Sequence, residues 1–166
     1  MFGIDRFLLL VALPIVVLAS LVEALALSRR GGYDWRASAV SLLDLAARIT
    51  LQILMPLSIA APLIALAYRH RLGAVTIDST AAVLALFVGQ EFCYYWYHRA
   101  AHRVRWFWCN HAVHHTPAQL NLSAAYRIGI LGRLTGTALF FVPLIWLDFP
   151  TRAVDAMRQL NLLCQL

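Results

Sequence analysis

Four stretches of the chain are apolar over enough residues to form helices, and turns or charged residues bound each of them. They cover residues 7–27, about 42–68, about 80–97 and 128–147. A helix rises about 1.5 Å per residue, so about 20 apolar residues cross the hydrocarbon of a bilayer. The pattern predicts an all-α fold: an integral membrane, multi-pass helical bundle with about four transmembrane helices.

The first apolar stretch has two interpretations, a membrane anchor and a signal peptide. It is longer than the apolar region of a signal peptide, and it runs into Arg29 and Arg30 rather than into a small-residue cleavage site. We therefore expect an anchor helix. Glu23, near its end, is expected to be a carboxylate at the membrane interface.

The second apolar stretch is interrupted by Pro56 and Pro62. Proline breaks or kinks a helix, so a kinked span or a re-entrant hairpin is predicted here. Asp44 and Arg48 stand four residues apart. At that spacing two side chains lie on one helical face, and we expect them to form an ion pair.

Composition supports the membrane interpretation. Hydrophobic residues make up 61% of the chain and charged residues 13%, with a mean hydropathy of +0.70, which excludes an ordinary soluble globule. The net charge of +6 comes from 14 basic residues, all arginine and spread between the apolar stretches, which favours anionic lipid headgroups over nucleic acid. The arginines of residues 29–36 and 99–127 place both segments in the cytoplasm by the positive-inside rule.

Five of the six histidines lie within eighteen residues, just after the third apolar stretch. His98 and His102 are four apart, and His111, His114 and His115 follow at spacings of three and one. On helices each set projects imidazoles from one face, and two such sets make a metal cage. Adjacent positions diverge by about 100°, so the pattern favours a binuclear centre of iron, zinc or copper in a cytoplasmic helical cap.

The segments YYWYHRAAH, NHAVHH and NLSAAYR together resemble the fatty acid hydroxylase and sterol desaturase superfamily. The resemblance covers about residues 80–166, with residues 1–79 as amino-terminal membrane-anchor helices. It implies a membrane-bound di-iron oxidoreductase that uses O2 to hydroxylate or desaturate C–H bonds of a fatty acid or sterol-like lipid. It also implies two iron ions, which zinc can replace in purified protein, and an electron-donor protein as partner. The implied iron ligands are His98, His102, His111, His114 and His115.

Several further residues are candidates for supporting the ligands. Glu91 lies two helical turns before His98, where it either fixes an imidazole tautomer or pairs with Arg99. Other candidates for contacts with the ligands, for packing or capping, or for orienting the loop against headgroups or ligands are Tyr94, Asn110, Asn121 and Arg127.

One departure from the superfamily pattern concerns the number of ligands. Its members carry further histidines after the fourth span, whereas no histidine follows His115 here. We therefore expect a truncated, incomplete domain and negligible oxygenase turnover from residues 1–166 alone. The alternative functions are a catalytically inactive membrane protein with a partial metal site and a metal-handling membrane protein. The second is less favoured because the polar residues gather at one membrane face.

Overall fold

The computed structural model describes residues 13–55, 58–73 and 75–163. Every regular element within these ranges is helical, so the predicted all-α class is confirmed. The beginning of the first apolar stretch, Pro56 and Cys164 lie outside the described residues. The α-helices are α1 Leu13–Arg29, α2 Trp35–Leu54, α3 Ala61–Arg69, α4 Thr80–Arg103, α5 Arg105–His111, α6 Gly132–Thr135, α7 Val142–Trp146 and α8 Thr151–Leu163, and the 3-10 helices are Ala112–His115, Leu122–Tyr126 and Thr137–Phe141.

One helix of the described chain, α2, is long and apolar enough to cross a membrane. It has 20 residues, which corresponds to about 30 Å along a helix. Asp34 caps its amino terminus by accepting hydrogen bonds from the backbone N–H groups of Arg36 and Ala37. The predicted set of about four spans, with a cytoplasmic cap, therefore stays a prediction.

The prediction of one continuous helix over residues 128–147 is wrong. Helix α6 ends after four residues at Gly136, whose φ of 79° is left-handed, and a 3-10 helix then leads into α7. A Cβ at Gly136 would stand 2.9 Å from a side-chain atom of Leu139 and 3.0 Å from one of Ile59. The chain turns where glycine alone fits, and apolar composition does not reveal that turn.

The second apolar stretch is divided, in agreement with its prolines. Helix α2 ends at Leu54, and α3 begins at Ala61 with Pro62 in its first turn, where the missing N–H of proline costs nothing. The expected Asp44–Arg48 ion pair is absent from the described structure. Oδ2 of Asp44 instead accepts hydrogen bonds from the backbone N–H groups of Ile128 and Gly129, at 3.1 and 3.0 Å. Two backbone donors therefore hold this half-buried carboxylate in place.

The amino-terminal helices are bound to the segment that follows the histidines. Glu23, predicted at the membrane interface, accepts a hydrogen bond of 2.7 Å from the backbone N–H of Leu122. The hydroxyl groups of Ser20 and Tyr126 lie 2.7 Å apart. Hydrogen bonds therefore cross the predicted domain boundary at residues 79 and 80, and the boundary itself stays a prediction.

Helix α4 is the central element of the core. Ser79 caps its start, and one of its faces is buried against the 3-10 helix Thr137–Phe141, α7 and α8. The main apolar cluster contains Leu86, Cys93, Phe141, Leu144 and Val154. Burial of these side chains fixes α4, and with it the two histidines on its last turns.

Candidate metal centre

A sharp reversal of the chain brings the two histidine segments together. Helix α4 ends at Arg103 and α5 begins at Arg105, so Val104 alone connects them, in extended conformation with φ −112° and ψ 119°. Its backbone N–H donates to the carbonyl of Ala100 and closes the last turn of α4. The turn folds α5 back onto α4 and brings His115, in the 3-10 helix Ala112–His115, against His102 near the end of α4.

Four imidazole nitrogens form a closely spaced row. Nε2 of His102 lies 3.1 Å from Nε2 of His98 and 3.3 Å from Nε2 of His111. Nε2 of His115 lies 3.1 Å from that of His111. Ligand atoms of His98, His102 and His111 all lie within 4.8 Å of one another, a group that can hold a metal ion.

Hydrogen bonds alone do not satisfy this row. Nε2 of a neutral imidazole carries either one proton or one lone pair, directed along one line. Yet Nε2 of His102 faces the nitrogens of both His98 and His111, and Nε2 of His111 faces those of both His102 and His115. A cation accepts lone pairs from several imidazoles at once, so the donor set fits a metal ion.

The distances also match those between ligands of one metal. Bonds of about 2.0–2.1 Å from metal to imidazole nitrogen place neighbouring nitrogens about 3.3–3.4 Å apart in a tetrahedral site and about 2.8–3.0 Å apart in an octahedral one. The three Nε2 contacts, at 3.1–3.3 Å, fall in this range. Nitrogen ligands suit iron, zinc and copper alike, so the geometry does not choose among these metals.

His114 is oriented differently from the other four histidines. Its Nδ1 lies 3.2 Å from the backbone carbonyl oxygen of Arg127. A carbonyl only accepts, so Nδ1 carries the proton and Nε2 is the nitrogen left with a lone pair. The ring centroid of His114 is 5.8 Å from that of His111 and 5.3 Å from that of His115. His114 therefore stands beside the row with its tautomer fixed by the backbone.

Tyr94 and Arg127 are the two candidate supporting residues that contact imidazoles. The hydroxyl of Tyr94 lies 3.1 Å from Nδ1 of His98. When Nδ1–H donates to this oxygen, Nε2 of His98 presents its lone pair to the row. Arg127 contacts His114 through its carbonyl, while its buried guanidinium donates to Thr116 and to the carbonyl of Ala37. Arg127 thus holds α2 to the loop, and its side chain does not face headgroups.

The other three candidates hold the fold around the centre and form no hydrogen bond to an imidazole in the described structure. Glu91 accepts a hydrogen bond from Asn161 of α8, and Arg99 donates to Tyr95 instead of pairing with Glu91. Asn121 caps the 3-10 helix Leu122–Tyr126. Asn110 is buried and ties α5 to residues 128–131: its Nδ2 donates to Ile128 and its Oδ1 accepts from Leu131.

Trp108 is a contact that the sequence pattern did not single out. Its ring stacks on His115 with centroids 5.7 Å apart and lies 5.5 Å from the ring of His102. Three and seven residues separate it from His111 and His115, which is the spacing of one helical face. That spacing could have identified Trp108, which flanks His102 and His115, the two exposed histidines of the row.

The protein environment favours the neutral form of three of these imidazoles, His98, His111 and His115. Burial, followed by the neighbouring imidazoles, lowers the pKa of His111 from 6.5 to about 3. Partial loss of contact with water, followed by neighbouring imidazoles, also lowers the pKa of His98 and of His115. Metals bind neutral imidazole, so the centre is prepared for a cation near neutral pH.

Loss of the Tyr94 hydroxyl is expected to weaken metal binding. Tyr94→Phe removes the oxygen that holds Nδ1 of His98, and such supporting contacts typically contribute about 10- to 100-fold to metal affinity. Titration of purified protein with zinc measures the change. Tyr95→Phe is the matched control, because the exposed Tyr95 hydroxyl contacts Arg99 instead of a histidine. Equal affinities for the two variants would contradict the proposed contact.

The metal-free protein is expected to lose stability as the pH falls from 6.5 towards about 3. An unfolded histidine takes up a proton near its ordinary pKa, whereas His111 and His98 resist protonation in the folded chain. Below that ordinary pKa the unfolded state binds more protons, so stability is complete above it and declines with acidification. Thermal unfolding in detergent between pH 7.5 and about 5.5, above the ordinary carboxylate range, measures this effect. His111→Gln should make the unfolding temperature depend less on pH in this range. An unchanged dependence on pH would contradict the assignment of this effect to His111.

Comparison with known proteins agrees with the resemblance that the sequence segments show. The family model described as fatty acid hydroxylase matches residues 83–165, half of the 166-residue chain. The chain is 38% identical over 97 residues to alkylglycerol monooxygenase of Homo sapiens, covering 58% of this chain and 21% of that protein. It is 37% identical over 88 residues to the Danio rerio protein of the same name, covering 53% and 19%.

The alignments cover only a part of these relatives. The chain spans about a fifth of the length of the curated relatives that it matches. No solved structure gives a significant match. The family match includes all five clustered histidines and confirms the resemblance drawn from the sequence segments. The chain belongs to the fatty acid hydroxylase family.

Proposed function

We propose that this chain forms the metal-binding part of a membrane-bound oxidoreductase that hydroxylates lipid C–H bonds with O2. The observation that carries the proposal is the row of Nε2 atoms at spacings of 3.1–3.3 Å in a member of this family. The proposed metal is a pair of iron ions, for which zinc can substitute in purified protein.

The histidines would hold the metal through Nε2. His98, His102, His111 and His115 form the row, and His114 offers the Nε2 that its contact with Arg127 leaves unprotonated. Bound iron would supply the activation of dioxygen that an unactivated C–H bond requires. The surroundings of His98, His111 and His115 lower their pKa values and so favour neutral imidazole. Contacts at Nδ1 orient His98 and His114, and Asn110 fixes α5.

Access to the centre is asymmetric. His111 is buried at 6% exposure, whereas His102 and His115 are exposed. The protein therefore closes one side of the centre and leaves the other open to dioxygen and substrate. A lipid chain is the proposed substrate, and alkylglycerols are the first compounds to test, because the relatives are alkylglycerol monooxygenases. The electron-donor protein, the multi-pass topology and the cytoplasmic position of the histidines belong to the same proposal.

Labelled dioxygen tests this function. The chain is expressed from its complete native reading frame, and the membranes that contain it are supplied with iron, a reducing system, an alkylglycerol and ¹⁸O2. Mass spectrometry then measures the ¹⁸O label in the oxidised lipid. Label is expected with the unchanged protein and with His70→Ala, since His70 is exposed at the end of α3. It should be absent with His111→Ala. Metal binding without labelled product from alkylglycerol, fatty acid or sterol substrates would support the inactive-homologue alternative.

A further inference from the structure

One exposed face of α4 changes from apolar to aromatic and then to basic residues along the helix. Leu84, Val88 and Phe92 follow one another at intervals of four residues, with exposed fractions of 57%, 64% and 64%. Residues at this spacing lie on a single helical face. Three large apolar side chains on one face suit contact with lipid hydrocarbon, since water disfavours such a patch.

The same face continues into aromatic and then basic residues. Tyr95 and Trp96 come next and are both exposed, followed at intervals of four by Arg99 and Arg103. Arg99 donates to the Tyr95 hydroxyl at 3.0 Å and lies 5.9 Å from the Trp96 ring. Aromatic and basic residues in this order mark the boundary between hydrocarbon and headgroups.

The distance over which this face changes from apolar to aromatic residues matches the thickness of one leaflet of a bilayer. Leu84 and Trp96 are twelve residues apart, which is about 18 Å along a helix. Half of the bilayer hydrocarbon measures about 15 Å. Trp96 therefore reaches the interface when Leu84 lies near the bilayer centre, and the next turns bring Arg99 and Arg103 to the depth of the phosphate groups.

Within residues 13–55, 58–73 and 75–163, no carboxylate forms an ion pair with the basic end of this face. The sequence contains no Asp or Glu between Glu91 and Asp148. The ion pairs recorded among the described residues join Arg71 to Asp148 and Arg158 to Asp155, and neither involves Arg99 or Arg103. Positive charge at this end of α4 is thus available to an external anion.

We propose that the Arg99–Arg103 face of α4 binds the phosphate groups of anionic membrane lipids. A bilayer matches the whole face, because hydrocarbon contacts the apolar turns while anionic headgroups contact the arginines. An acidic protein would supply negative charge to the arginines, but it would not supply the hydrocarbon that suits Leu84, Val88 and Phe92. His98 and His102 lie on the same final turns, so lipids bound there border the metal centre.

Lipid selectivity tests the proposal. The purified protein is reconstituted in nanodiscs containing equal amounts of phosphatidylcholine and phosphatidylglycerol, and native mass spectrometry measures the ratio of lipids that it retains. One basic residue near an anionic surface corresponds to about a fivefold effect on binding. Arg99→Gln with Arg103→Gln is expected to lower the phosphatidylglycerol preference at least about fivefold. Arg69→Gln with Arg152→Gln removes the same charge from two exposed residues outside this face and should leave the preference unchanged.

Two controls separate the outcomes. Zinc affinity and thermal unfolding, measured on each double variant, should match the unchanged protein and so report an intact fold. An equal loss of selectivity in both double variants, or no loss in either, would overturn the proposal. Binding of a polyglutamate peptide that needs Arg99 and Arg103, with no preference for phosphatidylglycerol, would overturn it in favour of an acidic protein partner.

Discussion

His111→Ala is expected to release the metal from the purified protein. Nε2 of His111 touches the nitrogens of two other histidines, His102 at 3.3 Å and His115 at 3.1 Å, so its removal divides the row. Changes in residues that merely support a ligand cost about 10- to 100-fold in affinity, and loss of this central ligand should cost at least about 100-fold. Metal content after loading with iron or zinc, measured by mass spectrometry, gives the result.

Two further variants make that result specific. His111 is buried, so its replacement by alanine also leaves a cavity that can weaken the fold. His102 is exposed, and His102→Ala should lose metal with little change in thermal stability. His70→Ala removes an exposed histidine outside the cluster and should retain full metal content. Full metal content in His102→Ala and His111→Ala would contradict the ligand assignment.

Gly129→Ala is expected to destabilise the protein by about 3 kcal/mol, from backbone strain and overpacking of about 1–3 kcal/mol each. Gly129 has a φ of 89°, and a Cβ there would stand 2.6 Å from both the backbone oxygen and Oδ1 of Asn110. Asn110 accepts the hydrogen bond from Leu131 and directly precedes His111. The clash should therefore reduce metal affinity as well as stability.

Chemical unfolding in detergent, followed by helical circular dichroism, measures the loss. Gly73→Ala is the matched control, since Gly73 has no atom within 4 Å of an added Cβ. Its stability should change by no more than about 0.5 kcal/mol. Similar unfolding curves for the two variants would show that the close approach of Gly129 to Asn110 does not stabilise the fold.

The sequence predicts the parts of the fold that depend on local spacing. The apolar stretch before His98 does form a helix, and the two histidine sets lie on helical segments that face each other. The sequence could not predict the division of residues 128–147, because Gly136 ends α6 through a left-handed conformation that hydropathy does not register. The apolar composition predicts a continuous helix here, but the left-handed φ angle of one residue ends the helix.

Tertiary contacts explain the remaining differences. Asp44 and Arg48 have the spacing of an ion pair, but Asp44 binds backbone N–H groups more than eighty residues away. Glu91 shares a helix with His98, yet its partner Asn161 comes from α8. Arg127 orients His114 through a carbonyl, which every residue possesses, so its side chain carried no signal of that contact. The five-histidine ligand set as a whole stays a prediction.

X-ray absorption spectroscopy of the metal-loaded protein shows whether imidazole nitrogens of the clustered histidines bind the metal. Nitrogen scatterers are expected at about 2.0–2.1 Å from the metal, accompanied by the outer scattering of imidazole rings. The signal and the bound metal should both disappear when the five clustered histidines are replaced together, in a variant that still contains His70. Equal metal content in the unchanged protein and in the variant lacking those five histidines would show that they do not bind the metal.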